Sequence, residues 1–214
     1  MTSDNRTGKF SREDVDVLSD EVAYQGFYQL RHIQLRHKLF NGGWSKTISR
    51  ELFNRYDAVG VLLFDPVLNK VALIEQIRVG AVGHDGATQQ SQSPWMLELV
   101  AGLIDKDELP EDVVARESIE EADLPIQELE KISEYYSSPG GSNEYFHLFV
   151  GKVDLSQAGG VFGLKDEGED ILVHLFGLDH CWALLDQGQF LNAHTIIAMQ
   201  WLKMNIERLQ NLWS

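Results

Sequence analysis

The stretch Gly102-Leu-Ile-Asp-Lys-Asp-Glu-Leu-Pro-Glu-Asp-Val-Val-Ala-Arg-Glu-Ser-Ile-Glu-Glu-Ala-Asp-Leu124 decides the reading of this chain. Glu117, Glu120 and Glu121 stand at i, i+3 and i+4, offsets that share one face of a helix. Ala115, Ile119 and Ala122 stand at i, i+4 and i+7, on roughly the opposite face. The spacing predicts a helix from about Leu109 to Ala122, with Pro110 acceptable in its first turn. One side packs on a core and the other presents stacked acids. Like charges at these spacings repel, and an ordinary solvated acidic face is the plain alternative. A divalent cation gives a reason to tolerate them, because Mg²⁺ takes oxygen ligands and is shared with substrate phosphates. Gly102 reads as a turn that leads toward this helix.

Working outward, 214 residues suit one good-sized domain, or a domain with a small appendage. An apolar content of 43% supports a real core. The formal charge of -15 argues against non-specific nucleic-acid binding, which needs a basic footprint. It also disfavours anionic membrane surfaces. A polyanionic substrate would meet an average repulsive field, so a cation or a local arginine must carry phosphate binding. Cys181 is the single cysteine, so no internal disulfide forms; its apolar surroundings suggest a small core residue. The N-terminal residues lack an apolar signal region and no run is long enough to span a membrane. A cytoplasmic protein is the default expectation.

Residues 1 to about 15 are polar and expected to fray. From Val22 to Phe53 short apolar and polar runs alternate, including Tyr24-Gln-Gly-Phe-Tyr-Gln-Leu30, with a strong hairpin signal at Asn41-Gly42-Gly43. This is a small antiparallel β unit, too small to be stable alone. Strands are expected at Ala58–Phe64, Lys70–Gln76, Trp95–Val100, Ile132–Tyr136, Phe146–Val153 and Ile171–Phe176. Ala81–Ser93 and Gly159–Asp170 read as loops. Two helices close the chain, near 179–187 and 193–212. The order of elements is α+β, an α/β/α sandwich on a mixed β-sheet, with the antiparallel unit over residues 1–56 and the main domain over 57–214.

The helix and its approach resemble the Nudix box. Gly102, Glu108, Arg116, Glu117, Glu120, Glu121 and Leu124 match its fixed positions. Ser118 stands where a small apolar residue is usual, and Asp123 replaces the late glycine. That glycine ends the helix in a left-handed conformation, which Asp tolerates better than most residues. Asp123 is therefore expected to cost stability and not activity. Outside the box, Glu98-Leu-Val-Ala-Gly102, Ser138-Pro-Gly-Gly-Ser-Asn-Glu144, Asp166-Glu-Gly-Glu-Asp170 and the segment beginning Asn192-Ala-His look like the bacterial ADP-ribose pyrophosphatases.

The resemblance implies an α/β/α Nudix sandwich and a set of roles. Mg²⁺, or Mn²⁺ in its place, is held by Glu117, Glu121, the Ala101 carbonyl and Glu169, with Glu120 a weaker contributor to catalysis. Glu167 is the general base, on a glycine-flanked loop able to close over substrate. Arg116 and Glu108 orient box carboxylates. The N-terminal unit is exchanged across a homodimer with shared active sites, where Phe27 and Tyr28 stack the adenine and Arg50, Glu51 and Arg55 complete the partner's site. Ser138, Pro139, Gly140 and Glu144 face the terminal ribose or the phosphates, and Leu103 offers a backbone contact. Arg78 belongs to the same implied set, with a local check: it follows a strand and would face the cleft, and arginine suits bidentate phosphate contacts. For Phe27 and Tyr28, packing within the hairpin is the competing expectation. His174, His180 and His194 lack ligand spacing and read as structural or surface residues; Trp201 and Trp213 read as packing or dimer residues. The substrate is a nucleoside diphosphate sugar, ADP-ribose by the loop and the aromatic pair. GDP-mannose, and a non-catalytic ADP-ribose sensor, are the rivals. No nucleic acid or membrane is expected as a partner.

Overall fold

Short alternating runs before residue 55 build a three-stranded antiparallel sheet in the computed structural model, which describes residues 8–82, 93–105 and 107–213. Its strands β1 (Val15–Gln25), β2 (Gln29–His37) and β3 (Ile48–Asn54) lie in that order. The run Tyr24–Leu30 is not one strand. Gly26 to Tyr28 form the turn between β1 and β2, closed by Gly26 N–H on the Tyr28 carbonyl at 2.9 Å. The Asn41-Gly42-Gly43 turn stands as expected, with both glycines at positive φ (89° and 76°) that a Cβ would disfavour. No residue of β1, β2 or β3 is fully buried. A three-stranded ribbon has no opposing layer of its own, so its apolar side chains stay partly wet.

The segment 136–144 belongs to this same compact unit. Phe53 N–H donates to the Gly141 carbonyl at 2.8 Å, and Arg55 N–H to Asn143 Oδ1 at 2.9 Å. Asn143 Nδ2 returns a bond to Asn54 Oδ1 at 2.7 Å.

The second unit comprises residues 56–135 and 145–214. Its central strand β4 (Asp57–Asp65) is apolar at consecutive positions because both faces are covered. Ala58, Leu62 and Phe64 face one core, while Val59, Val61 and Leu63 face another. Around it run β5 (Lys70–Ile77), β6 (Trp95–Glu98), β7 (Val100–Ile104), β8 (Glu128–Tyr136), β9 (Tyr145–Lys152), β10 (Gly160–Phe162) and β11 (Ile171–Gly177). The sheet order is β10-β11-β5-β4-β9-β8, with β6 also on β5 and β7 also on β4. β4 and β9 are parallel, whereas β4–β5, β5–β11 and β4–β7 are antiparallel, so the sheet is mixed.

Helix α1 (Pro110–Ala122) covers one face through Val113, Val114 and Ala122. Helices α2 (Leu178–Asp186) and α3 (Ala193–Trp213) cover the other through Leu178, Cys181, Met199, Leu202 and Leu209. This is the expected α/β/α sandwich. Cys181 is a buried core residue whose thiol is pushed up to about 12 by burial. Trp213 is buried in the same core, and Trp201 packs against it.

Three expectations are corrected. Trp95–Val100 is not one strand: the chain breaks at Leu99, leaving β5 as partner of β6 and moving to β4 as partner of β7. Gly159–Asp170 is not a bare loop, since it carries β10 and a 3₁₀ turn at Lys165–Glu167. The expected core stripe of α1 is misplaced. Ala115 and Ile119 are exposed, and Val113, Val114, Ser118, Glu121 and Ala122 are the buried set. Of the loop Ala81–Ser93, residues 83–92 lie outside the described residues, as do residues 1–7 of the N-terminus.

Candidate active site

The turned face of α1 brings its carboxylates inward. Glu121 is only 3% exposed and accepts the Ala101 backbone N–H from β7 on Oε2 at 2.9 Å. In an extended strand the N–H and C=O of one residue share an edge, so the Ala101 carbonyl also faces the α1 side of β7. Glu117 lies against Gly102. Any Cβ at residue 102 would fall under 3.0 Å from the Glu117 Cγ, Cδ and Oε1 atoms. Gly102 is therefore not a turn, as the sequence suggested. It is a strand residue that pairs with Val59, and its lack of a side chain makes room for a carboxylate.

Burial pushes the Glu117 carboxyl up to about 7, against the pull of Arg116 and with a push from Glu120. Burial pushes Glu121 up to about 8; the Ala101 N–H opposes this, and the Glu117 charge adds to it. Arg116 Nη1 sits 2.8 Å from Glu117 Oε1 and 3.0 Å from Glu120 Oε2, and Nη2 lies 3.6 Å from Glu108. Arg116 thus bridges Glu117 and Glu120, while Glu108 approaches only Arg116.

The loop after β10 approaches the same helix. Gly163 N–H donates to the Glu120 carbonyl at 3.3 Å. Gly163 has φ +101°, and a Cβ there would lie 2.7 Å from Glu169 Cβ, so only glycine fits. Glu169 Oε2 accepts the Leu164 N–H at 3.0 Å, and the Glu169 charge raises both Glu117 and Glu121. Glu167 ends the 3₁₀ turn and is exposed.

Arg78 follows β5, and its charge lowers the Glu121 carboxyl. Arg78 Nε bonds the buried Glu98 Oε2 at 2.6 Å. Asn192 Nδ2 bonds Glu98 Oε1 at 2.7 Å.

The donor set fits a hard divalent cation. Desolvation and mutual repulsion raise its inward-facing carboxylates, and a divalent cation among them would offset both effects. Among the described residues no three His, Cys, Asp or Glu side chains meet around one point.

A match to the NUDIX domain runs from residue 54 to 194, most of the chain. The chain belongs to the Nudix family. Its relatives narrow the field further. An ADP-ribose pyrophosphatase of Haemophilus influenzae is 42% identical over 204 residues, covering 95% of this chain and 93% of that protein. One from Escherichia coli strain K12 is 41% identical over 214 residues and covers 100% of both. A GDP-mannose pyrophosphatase of Cronobacter sakazakii is 30% identical, covering 89% of this chain and 96% of its own. The crystal structure of an ADP compounds hydrolase superposes with a TM-score of 0.68 over 95% of this chain and 98% of that one. At 20% identity that likeness speaks to the Nudix fold.

The two departures from the Nudix box are structurally linked. Asp123 adopts the left-handed conformation expected of the missing glycine, at φ 53° and ψ 38°. Its N–H caps the helix on the Ile119 carbonyl at 3.0 Å, and Leu124 N–H reaches the Ser118 carbonyl at 3.1 Å. The fully buried Ser118 hydroxyl donates to the Leu124 carbonyl at 2.5 Å. Ser118 thus satisfies a carbonyl of the turn that follows α1.

Most of the remaining Nudix-site candidates lie in the N-terminal unit. Phe27, at the β1–β2 turn, is 70% exposed and meets Tyr28 edge-on at 4.7 Å. Tyr28 also meets Phe53 edge-on at 5.2 Å and has the Arg55 guanidinium over its ring at 5.1 Å. Arg55 Nη2 pairs with the buried Glu144 Oε1 at 2.7 Å. Ser138 accepts the Gly141 and Ser142 N–H groups through its carbonyl, at 3.2 and 3.0 Å. Ser138, Pro139 and Gly140 are exposed, as are Arg50 and Glu51 on β3. Leu103, in the second unit, pairs with Ala58 and packs against the core. The three histidines read as structural bear this out: His174 bonds Glu75 at 2.7 Å, His180 packs on Phe176, and His194 stacks on Phe146 at 3.6 Å. Sequence reasoning gave no role to Glu98 or Asn192. The signals were that each opens a segment resembling the family, Glu98-Leu-Val-Ala-Gly102 and Asn192-Ala-His, and that Glu98 is an acid directly before the apolar Leu99-Val100.

Proposed function

We propose that the chain hydrolyses the diphosphate of ADP-ribose to AMP and ribose 5-phosphate with Mg²⁺. Full-length identity of 41–42% to ADP-ribose pyrophosphatases, against 30% to the GDP-mannose enzyme, supports the substrate. The pairing of Glu117, packed on Gly102, with the buried Glu121 supports the metal and carries the reading. Glu117, Glu121 and the Ala101 carbonyl would hold the cation, with Glu169 beside them. Bound there, it would neutralise the diphosphate and the charge that develops on it in the transition state.

The chain's own groups do the rest. Glu167 takes the proton of the attacking water. Its exposed position on a glycine-flanked turn allows it to reach a solvent molecule. Arg78 grips the diphosphate, a local cation in a chain of net charge -15. Arg116 holds Glu117 and Glu120 in place. Phe27 and Tyr28 offer aromatic faces to adenine, while Ser138, Pro139, Gly140 and Glu144, with Arg50, Glu51 and Arg55, contact the rest of the nucleotide sugar. The N-terminal sheet, which buries no residue within itself, supports a homodimer with shared sites. The residues 1–56 then form a swapped dimerisation unit and 57–214 the hydrolase domain. Among the described residues no helix is long and apolar enough to cross a membrane; a cytoplasmic location is part of this proposal.

The test is phosphatase-coupled hydrolysis of ADP-ribose, GDP-mannose and UDP-glucose with Mg²⁺, beside Glu121→Gln and Glu167→Gln. Preference for ADP-ribose that both variants lose is the expected result. Preference for another sugar nucleotide overturns the substrate. Tight ADP-ribose binding without hydrolysis of any substrate overturns catalysis in favour of a sensor.

A further inference from the structure

Glu98 ends β6 and is 4% exposed. A buried carboxylate is costly unless its oxygens are partnered. Here each oxygen has one donor: Arg78 Nε on Oε2 at 2.6 Å and Asn192 Nδ2 on Oε1 at 2.7 Å. Asn192 is itself fixed. Its Oδ1 caps α3 by accepting the His194 and Thr195 N–H groups at 2.9 and 3.2 Å. With the oxygen committed to the helix, the amide presents its nitrogen to Glu98.

Arg78 is held at the other end of this chain of bonds. Its backbone N–H donates to the Pro94 carbonyl at 2.8 Å. Its side chain, 42% exposed, is gripped by Glu98 through Nε. Among the described residues the two Nη groups make no hydrogen bond. A guanidinium bound side-on in this way turns its terminal donors outward as a pair. An arginine already fixed loses less rotamer freedom on binding than a mobile one.

We propose that Glu98, anchored by Asn192, is a positioning residue that orients Arg78 so that both Nη groups meet the substrate diphosphate. Glu98 and Asn192 do not touch substrate; they act through Arg78. The inference rests on the assignment of a diphosphate substrate and of Arg78 as its ligand. A buried ion pair kept only for stability is the competing explanation, and such pairs are weak stabilisers.

The test is a double-mutant cycle on Arg78→Ala and Glu98→Gln, with Asn192→Ser alongside. It is run on whichever nucleoside diphosphate sugar the wild type turns over, reading KM, kcat and the calorimetric Kd without added metal. The introduced glutamine still accepts from Asn192 but no longer offers a carboxylate to Arg78. Glu98→Gln is expected to raise KM and Kd about tenfold, the size of one charge-assisted hydrogen bond, with kcat little changed. In the Arg78→Ala background it adds nothing further. Serine caps a helix as well as asparagine but cannot reach Glu98, so Asn192→Ser raises KM by a smaller factor, again only when Arg78 is present. Equal losses in both backgrounds, or an unchanged KM in folded Glu98→Gln, overturn the positioning role. If Glu98→Gln does not fold, an unchanged KM and Kd in Asn192→Ser overturns it. A wild type that turns over no such substrate refutes the functional reading instead.

Discussion

Replacing Gly102 with alanine tests the geometry of the site at one atom. Gly102 is not among the glycines at positive φ, so alanine fits its backbone and the perturbation is steric alone. The added Cβ would fall under 3.0 Å from Glu117 Cγ, Cδ and Oε1. Carbon contacts normally settle at roughly 3.5–4.0 Å, so the carboxylate must retreat by on the order of 1 Å. The obstacle is the end of a flexible side chain, and an off-rotamer χ angle costs roughly 0.5–1.5 kcal/mol. For a chain of this size that lowers Tm by only a few degrees. Activity is far more sensitive, since a misplacement of about 1 Å costs about 100-fold. Gly102→Ala should therefore remain folded, lose about 100-fold in kcat/KM for ADP-ribose, and need more Mg²⁺ for half-maximal rate. The assays are a thermal melt, steady-state hydrolysis and a Mg²⁺ titration, with Glu117→Gln as reference. A folded Gly102→Ala protein with wild-type kcat/KM and Mg²⁺ dependence would refute the assignment of Glu117.

Other outcomes follow from the same helix. Asp123→Gly relieves a non-glycine residue at φ 53° and should add up to about 1 kcal/mol, raising Tm while turnover stays within a few-fold; a large gain in turnover would mean the helix end is functionally strained. Ser118→Ala removes the buried hydroxyl that donates to the Leu124 carbonyl at this turn and should cost about 1–2 kcal/mol; an unchanged melt would show that the hydroxyl is dispensable. Without metal, Glu117 at about 7 and Glu121 at about 8 bind protons more tightly in the folded state than at the ordinary 4.5. The native state then holds more protons than the unfolded chain across that window, so stability falls as pH rises from about 5 to about 8. Calorimetry in chelator should show this fall, reduced in Glu121→Gln; a flat profile, or an equal fall in the variant, counts against the inward-facing pair.

The sequence by itself determined the helix, its row of closely spaced carboxylates and the layer architecture. Each depends on local spacing: i, i+3, i+4 for the glutamates, and an unbroken apolar run for β4. It also anticipated the left-handed Asp123, because helix termination is a local backbone event. It misjudged which stripe of α1 faces the core. Periodicity separates faces, but hydrophobicity assigns the buried one, and here a buried face carries Glu121. Only the tertiary structure decided that Gly102 is a strand residue cleared for Glu117, since that requirement comes from an atom of another element. The same holds for Glu98 and Asn192, 94 residues apart in sequence. Their bond exists because the sheet brings the end of β6 to the head of α3, and no local pattern encodes a meeting of that kind.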